Sequence, residues 1–269
     1  MNLLAVLFFI FIILAGIEFY KPWYKPKSTK LIRWLTYIGL FVFNTFILRF
    51  FLPISIIVFA VNIEQLQLGI FNFFDIPIFI EIILSVIILD LMNYLFHYLS
   101  HIYSPLWRLH RVHHADSDYD VTTHLCHHPL EVLVTTLFLF SIVSIFGISA
   151  IAVLIFSVVM EINGLFIHTN IKIPQRLDKL LRFIIITPEM HRVHHSNEIG
   201  DLNSNFGAIF SWWDYIFKTY CSQPVAGYDA IQVGVQGFTS SKWLLLPWLL
   251  IQPFYKDDVF HKMNKIESK

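Results

Sequence analysis

Twelve of the chain's thirteen histidines fall between His97 and His195, and most stand in three tight groups. His97 and His101 form the first, His110, His113 and His114 the second, His191, His194 and His195 the third. Imidazole is the commonest protein ligand for transition metals. Residues four apart lie on one helix face a turn apart, so His97 and His101 can aim two ring nitrogens at one point. The i, i+3, i+4 spacing of the other groups does the same with three. At this histidine content an H-x-x-H-H string is expected only about 0.03 times by chance, and the chain carries two. His128 and His168 raise the candidate ligands from eight to ten. A tetrahedral structural zinc takes four. Eight to ten imidazoles fit two metal ions held close together, each with a position open for a small molecule. The repeated module suggests that each copy serves mainly one ion.

Missing motifs narrow the chemistry. Neither H-E-x-x-H nor H-x-x-E-H occurs, so the glutamate base of a zinc protease is absent from its usual place. No G-x-G-x-x-G or phosphate-binding loop appears. A di-iron carboxylate bundle needs Glu-x-x-His pairs within helices, and Glu81, Asp90, Glu131 and Glu161 supply none. Redox-active iron with O2, beside an apolar pocket, is the most economical use of what remains. A metal-bound histidine usually gives its other N–H to a carboxylate or carbonyl. Asp90 and Glu161 each stand seven residues, two helical turns, before a candidate ligand, His97 and His168 respectively. Both are therefore expected behind the ligands, with a helix-end or interhelical hydrogen bond as the alternative. Asn205 and Asp201 are candidates to hold a water near the metals, although Asn-Phe-Gly is also a plain turn signal.

The elements that must position these residues are membrane helices. The chain is 56% hydrophobic and 14% charged, with 27 phenylalanines and a mean hydropathy of +0.63, where a soluble domain carries about 25% charged residues. Apolar runs long enough to span a bilayer cover Leu3–Phe19, Leu31–Val61 (interrupted by Arg49 and Pro53), Ile76–Phe96, Leu130–Phe146 and Ile148–Ile167. Leu3–Phe19 lacks the basic start and small-residue end of a cleaved signal peptide and is expected to remain as a span. No repeat or flexible linker divides the chain, so residues 1–269 are read as one integral-membrane domain. Lys21, Lys25, Lys27, Lys30 and Arg33 crowd the first loop and assign it to the cytoplasm by the positive-inside rule. Counting spans from there brings all three clusters to the cytoplasmic face, a parity that a re-entrant hairpin at Leu31–Val61 would reverse. Cys126 and Cys221 would then lie on a reducing side, where a structural disulfide is not expected. Zero net charge argues against nucleic acid as a partner. His261 stands in a polar tail and is set aside.

Taken in order, these segments resemble the fatty acid hydroxylase/sterol desaturase superfamily of integral-membrane di-metal oxygenases. Asp90 and Tyr94 through His97 and His101 resemble its D-x-x-x-Y-x-x-H-x-x-x-H entry. Trp107 through His114, followed by Asp116 or Asp118 and Thr123, resembles its second histidine box, and His128–Glu131 its H-P-x-E. Phe166–His168 with Asn170 and Pro174 precedes the last box, Thr187–His195, and Asn205–Gly207, Trp213, Asp214 and Phe217 resemble the closing signature. The resemblance covers roughly half the chain, from about Asp90 to Tyr220. It implies an all-α fold, a multi-span transmembrane bundle with a cytosolic histidine-rich metal-binding cap. It also implies two iron ions held by His97, His101, His110, His113, His114, His128, His168, His191, His194 and His195, with Asp90, Glu131, Glu161, Asn205 and Asp214 supporting them. The activity implied is O2-dependent hydroxylation or desaturation of a lipid, with electrons from a separate reductase driven by NAD(P)H. Tyr98, Cys126-His127 and Lys218 depart from the family pattern and leave substrate and subfamily open. A zinc-dependent lipid hydrolase and a non-catalytic metal-binding membrane protein are the rival readings.

Overall fold

Each of the five apolar runs is helical in the computed structural model, which describes residues 3–256 and 259–260; His261 lies outside them. In chain order come α1 (Leu3–Tyr20), α2 (Lys30–Phe51), α3 (Ile56–Gln65), α4 (Ile78–Ile102), α5 (Ser104–His114), α6 (Pro129–Phe146) and α7 (Ala150–Ile167). Shorter helices follow: α8 (Gln175–Leu181), α9 (Pro188–His194), α10 (Ile199–Leu202), α11 (Trp212–Ile216) and α12 (Leu246–Ile251). No strand occurs among the described residues, only two isolated bridges. Residues 30–73, α4, α6 and α7 are long and apolar enough to cross a membrane, and α1 adds a shorter apolar helix.

The second run departs from the expected single span over Leu31–Val61. Pro53 cannot continue the hydrogen-bond ladder of α2, and Ser55 opens a new helix by accepting the Val58 N–H at 3.3 Å. The 22 residues of α2 reach about 33 Å, enough for a hydrocarbon core of about 30 Å, whereas the 10 of α3 reach about 15 Å. The chain therefore does not return through α3. It stays at the far end, where Gly69 abuts the α6–α7 turn: a Cβ there would lie 2.1 Å from the Gly147 nitrogen, and both glycines have positive φ. The early part of α4 lies at the same end, with Glu81 accepting the Ser149 N–H at 3.0 Å.

Parity follows from these turns. The last residues of α1, α4 and α7 and the first of α2 and α6 share one face with the histidines. Glu18 at the end of α1 accepts the N–H groups of Val121 and Asn170 at 2.9 and 2.7 Å. Arg33, counted above as a loop charge, is buried and paired with Asp116 at 2.6 Å and with Asp120. The inner stripe of α2 (Arg33, Tyr37, Leu40, Asn44) is buried, while Leu35, Val42, Phe46 and Phe50 face outward. Such an apolar exterior belongs to helices solvated by lipid. Between α3, α4, α6 and α7 a core of Ala60, Leu89, Val143, Ile148, Ala152 and Phe156 holds the bundle together. Cys126 and Cys221 are both free thiols.

Candidate metal centre

Ligand atoms of His97, His101, His110, His114 and His194 all lie within 4.8 Å of one another, and those of His113, His168, His191 and His195 form a second group by the same measure. Eight of the nine residues are buried and His97 is half-buried. Helix α4 supplies His97 and His101, α5 supplies His110, His113 and His114, and α9 supplies His191 and His194. His168 and His195 are the residues that end α7 and α9.

Each H-x-x-H-H module serves both groups, contrary to the expectation of one ion apiece. His110 and His114 join the first group and His113 the second; His191 and His195 join the second and His194 the first. Helical rotation is the reason. At about 100° per residue, positions four apart differ by about 40°, whereas the i+3 position lies about 60° round the other way. The i, i+4 pairs stay together, as His97 and His101 do, and the third imidazole is handed to the neighbouring group. Helices α5 and α9 thus exchange one histidine each.

Hydrogen bonding at the far side of several rings fixes which nitrogen is bare. Nδ1 of His97 donates to the Phe206 carbonyl at 2.7 Å, that of His110 to Glu131 at 2.6 Å, and those of His168 and His194 to the Gly164 and Ser204 carbonyls at 2.7 Å. A neutral imidazole has one N–H, so each Nε2 carries only a lone pair. Yet Nε2 of His97 and Nε2 of His110 stand 3.0 Å apart. Nε2 of His110 is also 3.0 Å from that of His114, and Nε2 of His168 lies 3.1 Å from His113 and 3.0 Å from His191. Two nitrogens each about 2.1 Å from a shared ion, at right angles, are about 3.0 Å apart. Both ring nitrogens of His101 and of His195 are buried without a partner among the described residues, and each such orphan costs about 1–3 kcal/mol. Burial, reinforced by neighbouring imidazoles, holds His113, His114, His168, His191, His194 and His195 well below the ordinary histidine range, so these rings are neutral and fit to ligate. The donor set fits two transition-metal ions.

Among the residues expected behind the ligands, Glu131 touches one directly, accepting from His110; it also faces His127 Nδ1 at 3.3 Å. Asp90 does not reach His97, because two helical turns are about 10.5 Å. It accepts instead from the Ile209 and Phe210 N–H groups, both at 3.1 Å, and from the Trp213 indole at 2.8 Å. Asp214 accepts from the Phe206 and Gly207 N–H groups at 2.8 and 3.0 Å. Asn205, at φ 53°, spends its amide on the backbone of Met190 and Cys221 rather than on a water; Asp201 likewise accepts the Val225 N–H at 3.0 Å. Together Asp90, Asn205 and Asp214 hold the loop whose Phe206 carbonyl orients His97. Glu161 is too far down α7 to serve His168, whose Nδ1 takes the carbonyl one turn back; Glu161 pairs with His124 at 3.1 Å.

His128 is the expected ligand that the structure does not bring to either group. Its Nε2 donates to the Leu250 carbonyl at 3.1 Å and its Nδ1 accepts the Leu130 N–H at 3.2 Å, capping α6. The sequence holds the clue: a polar residue before Pro129, with Glu131 in the first turn, is an N-cap pattern. His127, unassigned from sequence, stacks on His113 with ring centroids 4.3 Å apart.

Both groups border one cavity of about 230 Å³, reached by His97 and His110 from the first and by His113, His168 and His191 from the second. Phe96, Val132, Met160 and Ile167 give it apolar walls between α4, α6 and α7. A metal pair beside a half-open, mostly apolar cavity is suited to redox chemistry on an aliphatic molecule.

Comparison with known proteins agrees with this geometry. Residues 82–219, half of the chain, match the family model described as fatty acid hydroxylase. The chain is 29% identical over 136 residues to the alkylglycerol monooxygenase of Homo sapiens, covering 49% of this chain and 28% of that protein. It is 27% identical over 183 residues to ornithine lipid hydroxylase OlsE of Rhizobium tropici, covering 66% of this chain and 51% of that one. The match thus spans between about a quarter and half the length of these relatives. No solved structure matches the chain.

Proposed function

The chain belongs to the fatty acid hydroxylase family, and from that premise we propose that it is an O2-dependent membrane oxidoreductase that hydroxylates a lipid at two iron ions. One observation carries the reading: both histidine groups open onto a single, mostly apolar cavity lined by helices of membrane-crossing length. His97, His101, His110, His114 and His194 would hold one ion, and His113, His168, His191 and His195 the other. Bound iron would supply the O2 activation that oxidation of a C–H bond requires.

The chain's own residues do the rest. Glu131 and the Phe206 carbonyl lock the rings of His110 and His97 by taking their Nδ1 protons in hydrogen bonds. Phe96, Val132 and Met160 exclude water and leave room for an aliphatic segment. The relatives are named for adding oxygen to alkylglycerols and to an ornithine lipid, which favours hydroxylation over desaturation. Electrons would come from a separate reductase driven by NAD(P)H. Lys21, Lys25 and Lys27 lie in the loop that joins α1 to α2 on the histidine face and Lys30 opens α2, which supports a cytoplasmic site.

The test is to incubate the full-length protein, iron-loaded and reduced in lipid nanodiscs, with a lipid extract under ¹⁸O2. The reading expects ¹⁸O in a lipid hydroxyl. Tight zinc occupancy with no O2 uptake would contradict it and favour a hydrolase.

A further inference from the structure

Resting on that reading, we propose that His124 is a positioning residue of the cavity: it accepts a hydrogen bond from a hydroxyl or N–H on the lipid, so the substrate carries a donor group close to the carbon oxidised. His124 belongs to the turn Val121–Leu125, which a capping box between Asp120 and Thr123 holds in place. Its Nε2 lies 3.1 Å from a carboxylate oxygen of Glu161. A neutral ring facing an ionised carboxylate, which only accepts, carries its proton on Nε2 and presents a lone pair at Nδ1. Nδ1 has no partner among the described residues, and the ring lines the cavity.

The seat of this ring is built. A Cβ at position 164 would come within 2.3 Å of the His124 imidazole, so Gly164 is what lets the ring lie on α7. From there the His124 ring centroid is 5.6 Å from that of His168, in the second histidine group. A group hydrogen-bonded to Nδ1 is therefore only a handful of bonds from the site of oxidation. Asn93 on α4 and Thr135 on α6 line the same cavity, and their side chains have no hydrogen-bond partner among the described residues. With His124 they stand on three walls of the cavity, where polar atoms of an occupant can meet them.

The experiment compares two probes of one chain length, hexadecan-1-ol and hexadecyl methyl ether, binding to the iron-loaded full-length protein in nanodiscs without reductant. One net hydrogen bond predicts that the wild type prefers the alcohol by roughly three- to ten-fold. His124→Phe abolishes the preference, and His124→Asn, whose side-chain oxygen lies near the former Nδ1, retains part of it. Iron content stays at the wild-type level in both. Equal affinities in the wild type, or an undiminished preference in His124→Phe, would overturn the proposal. Because no turnover is involved, failure of the ¹⁸O2 experiment sinks the catalytic reading separately from this one.

Discussion

Nε2 of His97 and Nε2 of His110 face each other at 3.0 Å, while the Nδ1 proton of each is already donated, to the Phe206 carbonyl and to Glu131. In the neutral rings neither nitrogen has a hydrogen to offer the other. Two lone pairs at that separation repel in a dry interior, and a shared cation turns the repulsion into ligation. In the second group Nε2 of His168, whose Nδ1 proton goes to the Gly164 carbonyl, faces His113 and His191 at 3.1 and 3.0 Å, an arrangement that supports the proposal of a second cation.

Removing an imidazole from either group should therefore cost one ion selectively. His101→Ala is expected to lower iron from about two to about one per chain, and His195→Ala to do the same from the other group. The double variant should retain none. Because ions that bind only the folded state stabilise it, the melting temperature should fall in the same order. Elemental analysis and thermal unfolding of the purified variants check both.

His128→Ala tests the reassignment of the one expected ligand that lies elsewhere. Loss of an N-cap costs about 1 kcal/mol, so the variant should melt a few degrees lower yet keep its full complement of iron. Loss of an ion would return His128 to the metal site.

Asp214→Ala strands the Phe206 and Gly207 N–H groups, each at about 1–3 kcal/mol. The loop carrying the Phe206 carbonyl then loosens and His97 loses its orientation. Metal affinity should fall about 10- to 100-fold, the usual effect of losing such outer support. Iron titration of the variant against wild type reads this directly.

Arg33→Met leaves Asp116 and Asp120 buried without their counter-charge. Breaking a buried ion pair from one side costs about 3–5 kcal/mol, so the variant should express poorly and unfold early. The triple variant Arg33→Met, Asp116→Asn, Asp120→Asn should recover much of that loss, as judged by thermal unfolding in detergent.

The histidine clustering was legible in the sequence because helical spacing is local: His97 with His101, His110 with His114 and His191 with His195 share a group as the 3.6-residue period requires. The one-face topology was legible because span parity is counted from the chain alone. The split of each module between two groups was not, since it depends on how α5 and α9 face each other. Asp90 and Glu161 do not touch the histidines they precede for a geometric reason: two turns share a face but not a contact. Asp90 found its partners at Ile209, Phe210 and Trp213, more than a hundred residues away, and no local pattern announces such a pairing. The break at Pro53 was visible, but whether the chain crossed again after it was decided by the Gly69–Gly147 contact.

Iron stoichiometry and coordination in the intact protein test the central claim most directly. Full-length protein purified anaerobically in detergent and saturated with ferrous iron should bind two ions per chain, and X-ray absorption at the iron edge should show nearest neighbours dominated by imidazole nitrogen. A single ion per chain, or two ions that persist in the His101→Ala, His195→Ala double variant, would contradict it.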